Sequence, residues 1–203
     1  MLAIAGGKGG CGKTTTALCL AAAYARRRRR PLVVDADRGM PNCHLYADTP
    51  ADRGVEAVAV GADPVRTAER ASRLPGVDVL AGGDVDPDAY LDRLPAGRPV
   101  LVDAAAGAGA DVGAVLSVAD ATLVVTTPRR EAVVDALKTA ALARALGTPV
   151  AAAAVVGTDR DVSEFARAID APATAVPFAD DPIGAVDVAA AYDRLAARTG
   201  PNP

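Results

Sequence analysis

Tryptophan is absent from these 203 residues, and there are only two phenylalanines and four tyrosines. A core without large rings must be packed finely from small aliphatic side chains, and Ala and Val dominate the 51% apolar fraction. Cysteine is scarce and scattered: Cys11, Cys19 and Cys43 form no disulfide framework. The single histidine, His44, adjoins Cys43, but two adjacent ligands do not make a four-ligand metal set, and a loop pair packed beside the glycine-rich stretch is expected instead. No apolar run approaches the length of a membrane span. The opening MLAIAGGKGG lacks the basic region of a secretory signal. The net charge of −3 gives no overall field toward nucleic acid or anionic lipid. Without repeats or a dividing linker, residues 1–203 are expected to form one domain.

Lysine is the most informative scarcity. The chain has 3 Lys against 19 Arg, and two of the lysines, Lys8 and Lys13, fall within Ala5 to Thr16, reading AGGKGGCGKTTT. This stretch contains G-x-x-x-x-G-K-[ST], from Gly7 to Thr14. A short apolar strand, Leu2 to Ala5, precedes it, and a helix-capable run, Thr14 to Ala25, follows. Glycines let the backbone curl so that successive N–H groups of Gly7, Lys8, Gly9, Gly10, Cys11 and Gly12 converge on one anion. The helix N-terminus, with Thr14 and Thr15, adds partial positive charge at the same point. Lys13 is placed to reach the β- and γ-phosphates of a nucleotide, and the Thr14 hydroxyl to ligate Mg²⁺.

Two further apolar strands end in aspartate. Leu32-Val33-Val34-Asp35 runs into Ala36-Asp37, and Pro99-Val100-Leu101-Val102 ends at Asp103. In an open α/β sheet, ligands gather at the carboxyl ends of strands, so these carboxylates are expected to face the glycine loop. Strands are also read at Val77–Leu80, Pro149–Val156 and Ala173–Phe178. Helices are read at Gly54–Val58, Pro87–Leu94, Arg129–Leu146 and Ile183–Thr199, with residues 47–98 the least legible. The alternation predicts an α/β fold: a mostly parallel twisted sheet with helices on both faces. The run Arg26 to Arg30 reads as a solvated helix end, with nonspecific DNA contact as the weaker reading.

The string KGGCGKTT, Lys8 to Thr15, resembles the deviant Walker A signature of the ParA/MinD superfamily of P-loop ATPases, and MinD-like proteins most. Val33 to Tyr46 is similar to that family's switch I, and Asp103-Ala104-Ala105-Ala106-Gly107 to its switch II, with Ala105 where the family usually has Pro. Val176-Pro177-Phe178 resembles the turn beside the adenine. The base-contacting Asn common after the preceding strand is replaced by Gly157-Thr158.

The resemblance implies ATP and Mg²⁺ as cofactors and a slow ATPase. Lys8 would reach a partner's nucleotide across an ATP-dependent homodimer. Asp37 would position the attacking water, Asp35 and Asp103 would support the Mg²⁺ shell with Thr14, Gly107 would sense the γ-phosphate, and Pro177 would lie against the base. It further implies a cytoplasmic dimerisation switch that positions an unknown protein partner in cell division, chromosome or plasmid partition, or a polar structure. Three other classes stay open: a biosynthetic ligase-like enzyme, a metallocentre-assembly ATPase and a non-hydrolysing nucleotide-binding module. Cys spacing without C-x-x-C argues against a cluster carrier. The C-terminal sequence, ending in Gly-Pro-Asn-Pro, leaves too little basic amphipathic helix for membrane targeting.

Overall fold

A computed structural model describes residues 1–199. The Gly200–Pro203 tail of the sequence lies outside the described residues. In chain order the elements are β1 (Leu2–Ala5), α1 (Lys13–Arg26), β2 (Leu32–Ala36), α2 (Cys43–Ala47), α3 (Val55–Ala59), α4 (Pro64–Thr67), β3 (Glu69–Arg70), β4 (Asp78–Leu80), β5 (Val100–Ala104), α5 (Ala110–Val118), β6 (Ala121–Thr126), α6 (Arg130–Ala145), β7 (Val150–Val156), α7 (Ser163–Ile169), β8 (Ala173–Val176) and α8 (Val186–Thr199).

The eight strands form one sheet in the order β3-β4-β2-β5-β1-β6-β7-β8. All neighbours are parallel except the short β3–β4 pair at one edge. The expected α/β architecture is therefore present, with the Gly loop leaving the carboxyl end of a central strand.

Side chains alternate between the two faces of each strand, and the core follows that period. Leu2 and Ile4 of β1, Leu123 and Val125 of β6, and Ala152 and Ala154 of β7 pack with α1 and α8. Ala3 and Ala5 pack on the opposite face against Val112, Val115 and Leu116 of α5. Val124 and Ala153 meet Ala136 and Ala140 of α6 and Ile169 of α7. Alanines in the central strands let the helices approach closely, which accounts for a core with so few aromatics. The two fully buried rings are Tyr90 and Tyr192, and the Tyr192 hydroxyl shares a 2.9 Å hydrogen bond with Thr16 of α1.

Several boundaries differ from the sequence reading. Pro87–Leu94 forms two single 3₁₀ turns, Pro87–Ala89 and Leu91–Arg93, rather than one helix. The pattern there is too short to sustain an α-helical stripe. Cys43 and His44 open the short helix α2 rather than lying in a loop. The last helix begins at Val186, not Ile183. Its apolar side, Val188, Ala191, Tyr192 and Leu195, is buried against α1. No described helix is long and apolar enough to cross a membrane.

At the end of α1, Arg26 pairs with Asp193 at 2.8 Å and Arg27 donates to the Asp193 carbonyl. Arg28, Arg29 and Arg30 remain exposed, as a solvated helix end requires.

Candidate active site

The glycine loop is wedged between β1, β6 and α6. A β-carbon on Gly7 would lie 2.4 Å from Asp135 Cβ and 2.6 Å from the Asp135 carbonyl oxygen. Only glycine allows the loop to sit this close to α6. Gly12 caps α1 at φ 93°, a left-handed conformation that disfavours any side chain. We expect Gly7→Ala to lower stability by about 1–3 kcal/mol through overpacking and to weaken nucleotide binding by displacing the loop. Urea unfolding with an ADP titration checks this; wild-type values for both would show that α6 does not support the loop.

The loop places its two lysines differently. Lys13, the first residue of α1, is buried at 7% exposure. Lys8 is exposed and lines a separate hollow of about 380 Å³ with Gly9, Gly10, Cys11, Thr127, Arg129 and Glu131. A cleft of about 640 Å³ opens above the loop, lined by Gly9, Gly10, Gly12, Lys13, Thr14 and Thr15 from one side. Asp37, Met40, Asn42, Ala105, Ala106 and Asp111 line the other. A second cleft of about 630 Å³, lined by Met1, Arg29, Arg98 and Arg198, lies at the amino ends of the strands, away from this chemistry.

Parallel pairing of β2 with β5 sets Asp35 directly beside Asp103. Both carboxylates belong to the α1 face of the sheet and are 1% exposed. Asp35 is the organiser of the loop that follows it. Its Oδ1 accepts from Asp37 N at 3.1 Å, and its Oδ2 accepts from Asn42 N at 2.8 Å and Cys43 N at 2.9 Å. Burial raises the Asp35 carboxyl above its ordinary range, and these N–H groups pull it back. Asp37, half-buried in the cleft wall, accepts from Gly39 N and Met40 N, both at 3.1 Å.

Asp103 is different, because its Oδ1 is buried without a hydrogen-bond partner. Burial pushes its carboxyl up to about 7, and Asp35 adds to the rise. Thr14, Lys13 and the Cys43 thiol lower it. An unpartnered carboxylate oxygen beside a threonine hydroxyl and a second carboxylate fits a hydrated Mg²⁺ ion.

The sign of the pH dependence follows from this. In the unliganded fold Asp103 holds its proton to higher pH than in the unfolded chain, whose ordinary value is 3.8. Its contribution to stability is present below about pH 4 and lost as pH rises through about 7. A shift of that size is worth on the order of 4 kcal/mol. Relative to Asp103→Asn, the wild-type protein should therefore lose stability between pH 4 and 8 in urea unfolding. Parallel pH profiles for the two proteins would contradict the placement of Asp103.

Other sequence-predicted residues fall nearby but not in the cleft wall. The N–H of Gly107 (φ 93°) donates to the Gly6 carbonyl at 3.4 Å, linking the segment after β5 to the glycine loop. Pro177 follows β8, at the sheet edge. Gly157 N and Thr158 N both donate to the Val176 carbonyl, at 2.9 and 3.0 Å, which joins the two segments expected near a base. Val156, just before them, lies against Gly12: a β-carbon there would be 3.4 Å from Val156 Cγ1.

Some neighbours of the site were not read from the sequence. Arg38 pairs with Asp84 at 3.0 Å, with Asp86, and with Asp111 at 3.7 Å, fastening the loop after β2 to α5 and to the 84–86 turn. Gly82 presses on the same loop, since a β-carbon there would lie 2.7 Å from Pro41 Cβ and 2.9 Å from Asp35 Cγ. The Cys43 thiol donates to Asp103 Oδ2 at 3.5 Å across 60 residues of sequence. The sequence reading set Cys43 beside the glycine-rich stretch but offered no sign of its contact with Asp103.

The fold is shared with known proteins. A family model for the CobQ/CobB/MinD/ParA nucleotide binding domain matches residues 2–171. An uncharacterized ATP-binding protein of Methanocaldococcus jannaschii is 31% identical over 180 residues, covering 82% of this chain and 68% of that protein. The cell division ATPase MinD of Pyrococcus furiosus has the same fold, with a TM-score of 0.80 over 97% of this chain and 96% of its own, at 22% identity. So does the septum site-determining protein MinD of Pyrococcus horikoshii, solved in complex with Mg-ADP, with a TM-score of 0.80 over 96% of this chain and 93% of its own, at 20% identity. The family match spans the glycine loop and both aspartate-ended strands, and the archaeal relative matches along most of the chain: this protein belongs to the CobQ/CobB/MinD/ParA nucleotide-binding domain family.

Proposed function

We propose that this protein binds ATP with Mg²⁺, hydrolyses it slowly, and uses the bound nucleotide to switch from monomer to homodimer, positioning a protein partner. The observation that carries this reading is the division of labour between the two loop lysines. Lys13 is buried and lines the cleft, which suits it to phosphate contact within one chain. Lys8 is exposed and does not line that cleft, which leaves it open to a second copy's nucleotide.

In this reading the loop N–H groups from Gly7 to Thr15 cradle the β-phosphate, and Lys13 neutralises charge at the β- and γ-oxygens. Thr14, Asp35 and Asp103 would hold Mg²⁺, the aspartates through water, and the ion when bound supplies further charge neutralisation at the phosphates. Asp37 orients the attacking water from the cleft wall. Gly107 reports the γ-phosphate by exchanging its contact to Gly6 for one to the nucleotide. Pro177 and the joined Gly157–Thr158 turn flank the base.

The test is ATP turnover by the protein alone. Basal hydrolysis without a second substrate, abolished by removing Mg²⁺ with a chelator, is expected. ATP consumption that appears only on addition of a carboxylate substrate would replace the switch with a ligase-like enzyme.

A further inference from the structure

Asp35, Cys43 and Asp103 come from three elements, β2, α2 and β5, and each brings one potential ligand atom to a common point. These atoms all lie within 4.8 Å of one another. The three residues are 1%, 0% and 1% exposed. Asp103 Oδ1 has no hydrogen-bond partner. Asp35 Oδ1 accepts a single N–H and keeps a lone pair for a further bond. The thiol adds to these carboxylates a ligand that a hydrated Mg²⁺ ion does not use, and thiolate sulfur selects softer metals.

We propose that Asp35, Cys43 and Asp103 form a direct binding site for a thiophilic divalent cation of the Zn²⁺ class. Zn–O and Zn–S bonds are about 2.0–2.3 Å long, so the ligand atoms need close by only roughly 1 Å around the ion. Binding exchanges the Cys43 S–H for an S–metal bond. The thiol proton and any proton held by Asp103 leave to solvent, so binding should weaken as pH falls below about 7, and no oxidation state changes. Two carboxylates and one thiolate then balance the dication with one excess negative charge, and water fills the fourth position. The neighbouring His44 is not part of the cluster. A consequence, resting on the nucleotide reading above, is competition: a cation bound directly to Asp103 removes a carboxylate that Mg-nucleotide requires.

The test uses Cd²⁺ as the probe, added to the nucleotide-free full chain in a phosphine reductant without Mg²⁺. Thiolate-to-metal absorption in the ultraviolet should appear and saturate at one Cd²⁺ per chain, and Zn²⁺ should displace it. Loss of an outer-shell partner alone weakens metal sites roughly 10–100-fold, so Cys43→Ser and Asp103→Asn should weaken binding at least that much. Cys43→Ser should also abolish the band. A Cys11→Ser, Cys19→Ser double variant should retain it. If Cys43→Ser does not fold, Asp103→Asn, which leaves the thiol in place, still decides the matter. No band in the wild type, undiminished binding in Asp103→Asn, or a band that survives in Cys43→Ser or vanishes in the double variant would overturn the site. Because no nucleotide is present, such a failure would leave the ATP reading standing. Mg-ADP should then release the bound Cd²⁺; both retained together would contradict the shared carboxylate.

Discussion

Lys13→Ala should bind ADP and ATP roughly 10²–10⁴-fold more weakly than the wild type, since breaking a buried charge pair costs about 3–5 kcal/mol. Lys13 as a residue is only 7% exposed, so its charge acts on a phosphate with little screening by water. Nothing else in the cleft replaces it: the other charged residues lining that space are Asp37 and Asp111. Loop N–H groups remain and account for the residual affinity. The variant should stay folded, because Lys13 lowers the Asp103 carboxyl and its removal favours the protonated, neutral acid. A fluorescent ADP analogue titrated into both proteins, with circular dichroism as the folding control, gives the answer. Unchanged affinity would end the assignment of this loop to nucleotide binding.

The second large effect is expected at Asp37. Its carboxylate stands in the cleft wall opposite the loop, held by two backbone N–H groups of Gly39 and Met40. Alanine removes the acceptor for an attacking water and also releases that turn. Asparagine keeps an oxygen for the two N–H groups while losing the charge. Both variants should keep nucleotide affinity within a few-fold and lose turnover by roughly 10²–10⁴, the usual contribution of a positioned acid–base group. Turnover and affinity measured on the same preparations separate the two effects. Wild-type turnover in Asp37→Asn would take the carboxylate out of the hydrolytic step.

Much of this site was legible because its parts are local in sequence. Gly7 to Thr15 is contiguous, and the strands before Asp35 and Asp103 are runs of Val and Leu that have few alternatives to burial. Strand order was not legible: that β2 and β5 lie side by side, with Asp35 in register with Asp103, depends on packing between segments 60 or more residues apart. The contact of Cys43 with Asp103 has the same origin. The region from 47 to 98 misled because its elements are too short for any period to show; β3 has two residues and α4 has four. Helix α5 was missed because Ala-Asp-Val-Gly-Ala-Val-Leu-Ser-Val carries little amphipathic contrast, and burial of Val112, Val115 and Leu116 against β1 and β5 makes it helical. The sequence also carried no sign that Asp35 accepts three backbone N–H groups and so shapes the loop after β2.

The exposed Lys8 carries the central claim, that ATP assembles two copies of this chain. In a monomeric P-loop protein Lys8→Ala would be nearly silent. In the switch, Lys8 neutralises the partner's phosphates, and fingers of that kind contribute up to roughly 10³–10⁵ in rate. Nucleotide held at an interface also shifts the equilibrium toward dimer by mass action. Sedimentation of wild type, Asp37→Ala and Lys8→Ala with Mg-ATP or Mg-ADP is the most direct measurement. The account predicts a wild-type dimer in ATP and monomer in ADP, a more complete ATP dimer in Asp37→Ala, and a Lys8→Ala monomer that still binds ATP. The same mass in every sample would contradict it.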